Sequence, residues 1–104
     1  MYIAMNRFKI VIGQEEAFQR VWQTRDSSLE GQPGFKEFKL LRGDTAAEAG
    51  YTLFASHSVW ASRDDFVAWT KSENFRQAHR NAAGNLSMYM GPPKFEGFSV
   101  IEGA

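Results

Sequence analysis

In "YIAMNRFKIV", residues 2–11, Tyr2, Ala4, Asn6, Phe8 and Ile10 share one face, and Ile3, Met5, Arg7 and Lys9 share the other. A period of two is that of a β-strand. Gly13 breaks it, and the period then changes. Across "QEEAFQRVWQTRDSSLEG", Phe18, Val21, Trp22, Arg25 and Leu29 fall at helical spacing, with Glu15 and Glu16 in the first turn, where carboxylates complement the helix dipole. This helix is expected to run until Gly31, Pro33 and Gly34 end it. A second strand, "FKEFKLLRGD", is expected to stop at Gly43 and Asp44, leaving "TAAEAG" as a polar connection to a third strand, "YTLFASHSVW", rich in β-branched and aromatic residues.

"SRDD" opens the next helix. Ser62 is a cap and Asp65 lies three residues on, the capping-box spacing with Asp in place of Glu. Phe66 and Trp69 form its apolar face. "KSEN" offers a second cap at Ser72, so a break or kink is expected there before the helix resumes through about Ala82. The loop "GNLSMYMGPP" carries Pro92 and Pro93, which forbid a helix interior, and "KFEGFSVIEG" is a last strand. The order is β-α-β-β-α-β: an α+β, ferredoxin-like antiparallel sheet forming a single domain over residues 1–104. Two helices cover one face of such a sheet. Because the strands are apolar on both faces, a second copy packing sheet to sheet is expected, making a homodimer.

Composition narrows the classes of function. Of 104 residues, 43% are apolar and 23% charged, the balance of a folded globule. Twelve basic residues offset twelve acidic ones, so no net field favours nucleic acid or an anionic membrane. The absence of cysteine excludes disulfides, thiolate nucleophiles and Cys-based metal sites. The amino terminus has no basic region followed by an apolar run, and no stretch approaches a membrane span, so a cytoplasmic protein is expected. There is no HExxH, no paired histidine for zinc, no P-loop, no GxGxxG and no nucleophile elbow. Nine Phe, three Tyr and three Trp fill a core or wall a pocket for a large flat ligand.

A few side chains break the apolar pattern. In "NFRQAHRN", Phe75, Ala78, His79 and Ala82 share one helical face, and one of the four is an imidazole. Asn6 puts an amide on the inner face of the first strand, where a buried amide without partners costs about 1–3 kcal/mol. His79 as a core histidine, Asn6 as a structural amide and Trp69 as plain packing are the simpler readings. Together, an imidazole, an amide and an indole facing one pocket suit a flat aromatic cofactor held by one axial nitrogen. Counting 100° per residue puts Trp69 and His79 within about 80° of each other on one continuous helix. His57, with the parity of Ala55 and Val59, is open to a structural or a ligand role.

The stretch "VWASRDDFVAWTKSENFRQAHRN", with "MNRFKI" and "GQPGFKEFKLLRG", resembles the corresponding segments of IsdG-type haem-degrading monooxygenases, small members of the antibiotic-biosynthesis monooxygenase (ABM) superfamily. The likeness runs from about Tyr2 to Asn81, and the loop "NAAGNLSMYMGPP" departs from the better-known members. It implies ferredoxin-like domains paired as a dimeric α+β barrel, with haem between helices and sheet. It implies His79 as the proximal iron ligand, Asn6 as the hydrogen-bond donor on the distal side, and Trp69 pressing the porphyrin out of plane. Haem would be both substrate and cofactor, with O2 and an external electron donor, a reductase or small reductant, completing the reaction. Arg25, Arg80 and Lys94 are alternative partners for its propionates. Two further readings stay open: a cofactor-independent ABM-type monooxygenase on a phenolic or polycyclic substrate, and a haem carrier.

Overall fold

A computed structural model of the chain describes residues 1–25, 28–76 and 87–104. The elements are β1 (Tyr2–Val11), α1 (Glu15–Thr24), β2 (Phe35–Ala46), β3 (Tyr51–Trp60), α2 (Arg63–Thr70) and β4 (Lys94–Ser99), in the expected βαββαβ order. The strands form one four-stranded sheet in the order β2-β3-β1-β4, every neighbouring pair antiparallel. This is the ferredoxin-like arrangement.

Two elements depart from their expected bounds. α1 stops at Thr24, and Arg25 is already extended with ψ 148°; Ser28 beyond it has φ +56°. At the end of α1, Thr24 Oγ1 donates to the Arg20 carbonyl at 2.8 Å, a local side-chain bond that competes with continuing the helix. β2 does not stop at Gly43 and Asp44. It runs to Ala46 by shifting register between Arg42 and Thr45, an irregularity that absorbs the glycine. In Gly43's neighbourhood the Leu53 carbonyl stands 3.3 Å from where a Cβ would lie, so the bare backbone suits this close approach.

The caps behave as their spacing requires. Ser62 Oγ accepts from the Asp65 N–H at 3.1 Å. Ser72 interrupts the helix and caps the next turn, with its Oγ accepting from the Phe75 N–H at 3.1 Å. Residues 73–76 are helical, and the continuation towards Ala82 lies outside the described residues. The break means that a count at 100° per residue from Trp69 to His79 does not hold.

On the helix-covered face, β1 and β3 set side chains in matched pairs: Tyr2 opposite Trp60, Ala4 opposite Ser58, Asn6 opposite Ser56, Phe8 opposite Phe54 and Ile10 opposite Thr52. Two apolar clusters result. Tyr2, Ala4, Leu29, Trp60 and Trp69 gather at one end, and Phe8, Ile10, Phe18 and Phe54 at the other. Phe18 and Phe54 meet edge to face at 4.9 Å between ring centroids. Each such buried ring contributes about 1.5–3 kcal/mol by area. Between the clusters sits the polar pair Asn6–Ser56.

One buried carboxylate fastens α1 to the sheet. Glu15, 8% exposed, accepts from the Gly13 N–H at 2.7 Å and from Thr52 Oγ1 at 2.8 Å, and Thr52 in turn lies 2.8 Å from Thr45 Oγ1. Placed in the first turn, as its spacing predicts, Glu15 is an anchor as well as a dipole partner. Backbone hydrogen bonds and the Thr52 hydroxyl hold its carboxyl below the ordinary value of 4.5. Its ionised form therefore favours the folded state above that value, and the contribution disappears as the pH falls below 4.5 through the lowered pKa. Thermal melts across the acid range are expected to show Glu15→Gln less stable than the parent near neutrality, with the gap narrowing on acidification. Parallel curves at every pH would exclude the linkage.

Candidate functional site

The gap over the middle of the sheet is a cavity of about 820 Å³, bounded by the inner face of the sheet, the end of α1, α2 with the turn after it, and the segment before β4. Its floor is Ala4, Asn6 and Phe8 from β1 with Ser56 and Ser58 from β3. Asn6 is half-buried, and its carboxamide makes no hydrogen bond among the described residues. The reading of Asn6 as an amide satisfying local backbone is therefore not met.

Trp69 hangs from α2 into the cavity at 8% exposure. Its ring lies 5.6 Å from that of Trp60, and Phe75 stands edge-on to it at 4.7 Å and 89°. The Ser72 break sets this contact: Ser72 Oγ donates to the Trp69 carbonyl at 2.6 Å and receives the Phe75 N–H, which folds Phe75 back onto the indole. At the mouth, Phe66 of α2 and Phe95 of β4 stack at 5.6 Å and 8°.

The opposite end carries charge. Arg25, just past α1, spreads its guanidinium over the Trp22 ring, with Cζ 4.0 Å from the centroid, and 5.5 Å from that of Phe38. Burial lowers its pKa, and no carboxylate pairs with it among the described residues. Beside it the Tyr89 phenol is pushed up by burial, with Arg25 opposing the shift. Tyr89 is held in place by a bridge to Ile10, by Met90 N–H donating to the Lys9 carbonyl at 2.7 Å, and by its ring edge-on to Phe18 at 5.8 Å. An unpaired guanidinium next to a phenol, in a wall otherwise of carbon, is a receiver for an anionic group.

The cavity thus brings together Asn6, Trp69 and Arg25. His79 and Arg80 lie outside the described residues. Lys94 pairs with Arg7 on β1 and so stands on the other face of the sheet, away from the cavity, because alternation along β1 gives Arg7 the parity opposite to Asn6. His57 lies on that outer face as well, opposite Met5 and Lys39, with its Nδ1 buried and unpartnered. No group of three His, Cys, Asp or Glu able to hold a metal ion occurs among the described residues, and no described helix is long and apolar enough to cross a membrane. Phe66, Phe95 and Ser56 were not singled out as site residues from sequence. The strand period that selected Asn6 applies equally to Ser56, two positions from Phe54 and from Ser58.

Residues 1–81 match the family model described as antibiotic biosynthesis monooxygenase. A heme oxygenase (staphylobilin-producing) from Staphylococcus saprophyticus is 30% identical over 87 residues, 84% of this chain and 81% of the relative. Among solved structures, the heme-degrader MhuD of Mycobacterium tuberculosis, with two hemes bound in its active site, superposes with a TM-score of 0.72 at 22% identity, over 97% of this chain and 96% of that one. SnoaB, a cofactor-independent oxygenase from Streptomyces nogalater, superposes with a TM-score of 0.67 at 18% identity, over 95% and 92%. At these identities the two structures speak for the fold.

The aromatic mouth rests on a glycine. A Cβ at Gly97 would overlap the Tyr2 hydroxyl and crowd Phe95 at 3.4 Å. Tyr2 packs on Phe66, at 5.7 Å between centroids, and Phe66 on Phe95. Gly97→Ala is therefore expected to push Tyr2 against that stack and lower stability by about 1–3 kcal/mol, the usual cost of overpacking. A denaturant titration reads it, and an unchanged midpoint would mean that the ring yields without cost.

Proposed function

The chain belongs to the antibiotic biosynthesis monooxygenase family, and from that premise we propose that it is a haem-degrading member, opening the porphyrin with O2 and external electrons to release iron and a linear tetrapyrrole. The observation that carries the reading is the form of the cavity. It is wide, walled by Trp22, Phe38, Trp69, Phe75 and Phe95, and interrupted by an unpartnered amide in the floor and an unpaired cation at one end. A planar, largely apolar ring with acidic substituents answers each of those features. The 30% identity to a heme oxygenase supports the same substrate.

Bound haem supplies the iron and the conjugated ring on which the oxygen chemistry runs. The protein residues then divide the remaining work. His79 is the neutral imidazole that binds the iron. Asn6, in the cavity floor, would offer its amide N–H groups to negative charge developing on oxygen held there. Trp69, braced from behind by Trp60 and from the side by Phe75, would bear on a bound ring and bias its shape. Arg25 takes a propionate: it lines the cavity, whereas Lys94 faces away from it. With no cysteine in the chain, electrons come from a separate reductase or small reductant in the cytoplasm.

The chain acts as one domain over residues 1–104 and pairs as a homodimer through the outer sheet face, where Ile3, Met5, Val59 and the 46%-exposed Phe98 stand on one side of the sheet.

The decisive experiment adds haem anaerobically, then a reductant, then air. Loss of the Soret band with appearance of free iron is expected. A stable Soret band would make the protein a carrier. No haem spectrum would leave the cavity to a cofactor-independent oxygenase of a phenolic or polycyclic substrate.

His79→Ala is expected to keep the fold, to weaken haem binding and to abolish degradation, read by haem titration beside a thermal melt. Wild-type binding and turnover in this variant would remove His79 from the iron.

Trp69→Phe keeps an aromatic wall but gives up bulk against the ring. Turnover is expected to fall well before stability does, whereas Trp69→Ala would open a cavity costing about 3–5 kcal/mol. A lower melting temperature with normal turnover per folded molecule would make Trp69 ordinary packing.

A further inference from the structure

Along the inner face of β3, nearly every polar side chain has a partner. Thr52 is bonded to Glu15 and lies against Thr45. Ser58 Oγ accepts from Trp60 Nε1 at 3.0 Å and reaches the Ala4 carbonyl at 3.4 Å. Ser56 is the exception. It is 7% exposed, it lines the cavity, and its hydroxyl makes no hydrogen bond among the described residues. Ser56 is buried as a residue, but its hydroxyl is not among the buried unpartnered atoms, so it opens into the cavity, where a bound molecule can meet it.

Its position gives the hydroxyl a use. Ser56 is directly opposite Asn6 in the β1–β3 register and beside Leu40 of β2. Side chains so opposed have Cβ atoms about 4.5–5.5 Å apart and rise from the same face. The amide and the hydroxyl therefore form a two-residue polar patch in a floor that Ala4 and Phe8 otherwise make apolar. Both groups can donate, and each lacks an acceptor among the described residues. Ser58 does not duplicate this role, because its hydroxyl hydrogen goes to the Ala4 carbonyl.

We infer that Ser56 is a second hydrogen-bonding residue of the cavity floor, donating alongside Asn6 to a small, electron-rich group of the bound molecule. Resting on the haem reading above, the partner is a diatomic or triatomic ligand held on the sheet side of the ring. Asn6 and Ser56 approach such a ligand from adjacent strands, so the pair restrains its direction as well as its charge.

The test uses the full chain loaded with haem, with azide as probe of the ferric form and carbon monoxide as probe of the ferrous form. Ser56→Ala is expected to bind haem as the parent does, to bind azide about five-fold more weakly, the worth of one ordinary hydrogen bond, and to raise the carbon monoxide stretching frequency. Ser56→Thr, which keeps the hydroxyl, is expected to restore both readings towards the parent. Parental azide affinity and stretching frequency in Ser56→Ala would overturn the inference while leaving the haem reading intact. Loss of haem affinity alone, with azide binding unchanged, would overturn it too, as a packing effect. If the unsubstituted chain gives no haem spectrum, the haem reading falls first, before any variant is made, and this inference falls with it.

Discussion

The structure depends on a polar interruption in the middle of an apolar surface. On β1 the inner row runs Tyr2, Ala4, Asn6, Phe8, Ile10, and on β3 it runs Trp60, Ser58, Ser56, Phe54, Thr52. Were Asn6 and Ser56 aliphatic, the two clusters on either side would gain by meeting, since each further Å² of apolar surface buried is worth roughly 25 cal/mol. The polar pair removes that gain at the centre of the sheet. The helices are short, eight and ten residues, and each serves one end. What remains between them is a cavity floored by the residues that kept the core from closing.

The same division explains the chemical difference between the ends. At the α2 end the walls are carbon: Trp69, Phe75 and the Phe66–Phe95 stack. At the α1 end the helix stops one residue before Arg25, and the extended backbone there lets the guanidinium fold over Trp22 instead of continuing along the helix surface. Had α1 run on to Gly31, Arg25 would stand on a helix face, paired or solvated. Its early termination turns a helix-face cation into a cavity-wall cation, desolvated enough for its pKa to fall. Half-buried over Trp22 and Phe38, the guanidinium keeps its donors available to an anionic group in the cavity.

Much of this was legible from residue patterns, for identifiable reasons. Strand alternation placed Asn6 inward, and the serine spacings located both helix starts, Ser62 before α2 and Ser72 before the turn that carries Phe75. These are local rules, decided within a few residues. The failures were non-local. Glu15 is legible only as a first-turn dipole partner until Thr52, thirty-seven residues away, is brought over it. Ser56 has unremarkable strand parity until the register sets it across from Asn6. The length of α1 was overestimated because Leu29 keeps the helical spacing; it is buried all the same, by a chain that has already left the helix. Burial was correctly inferred there and the element was not.

The outer face of the sheet bears on the site through β1. Ile3 and Met5 alternate with Ala4 and Asn6, so a slip of one residue in pairing would send Asn6 outward and Met5 into the floor. Register is held wherever one face is buried, and the inner face, with Tyr2, Phe8 and Ile10 against Trp60 and Phe54, is buried. The inner face, interrupted by its polar pair, discriminates less than an unbroken apolar row would. The outer row, Ile3 against Val59 and Met5 against His57, adds to that preference once it is covered, as the proposed second copy would do. On this view assembly and chemistry would share one strand: packing on the outer side of β1 would add to what the buried inner row already does to keep Asn6 on the cavity side.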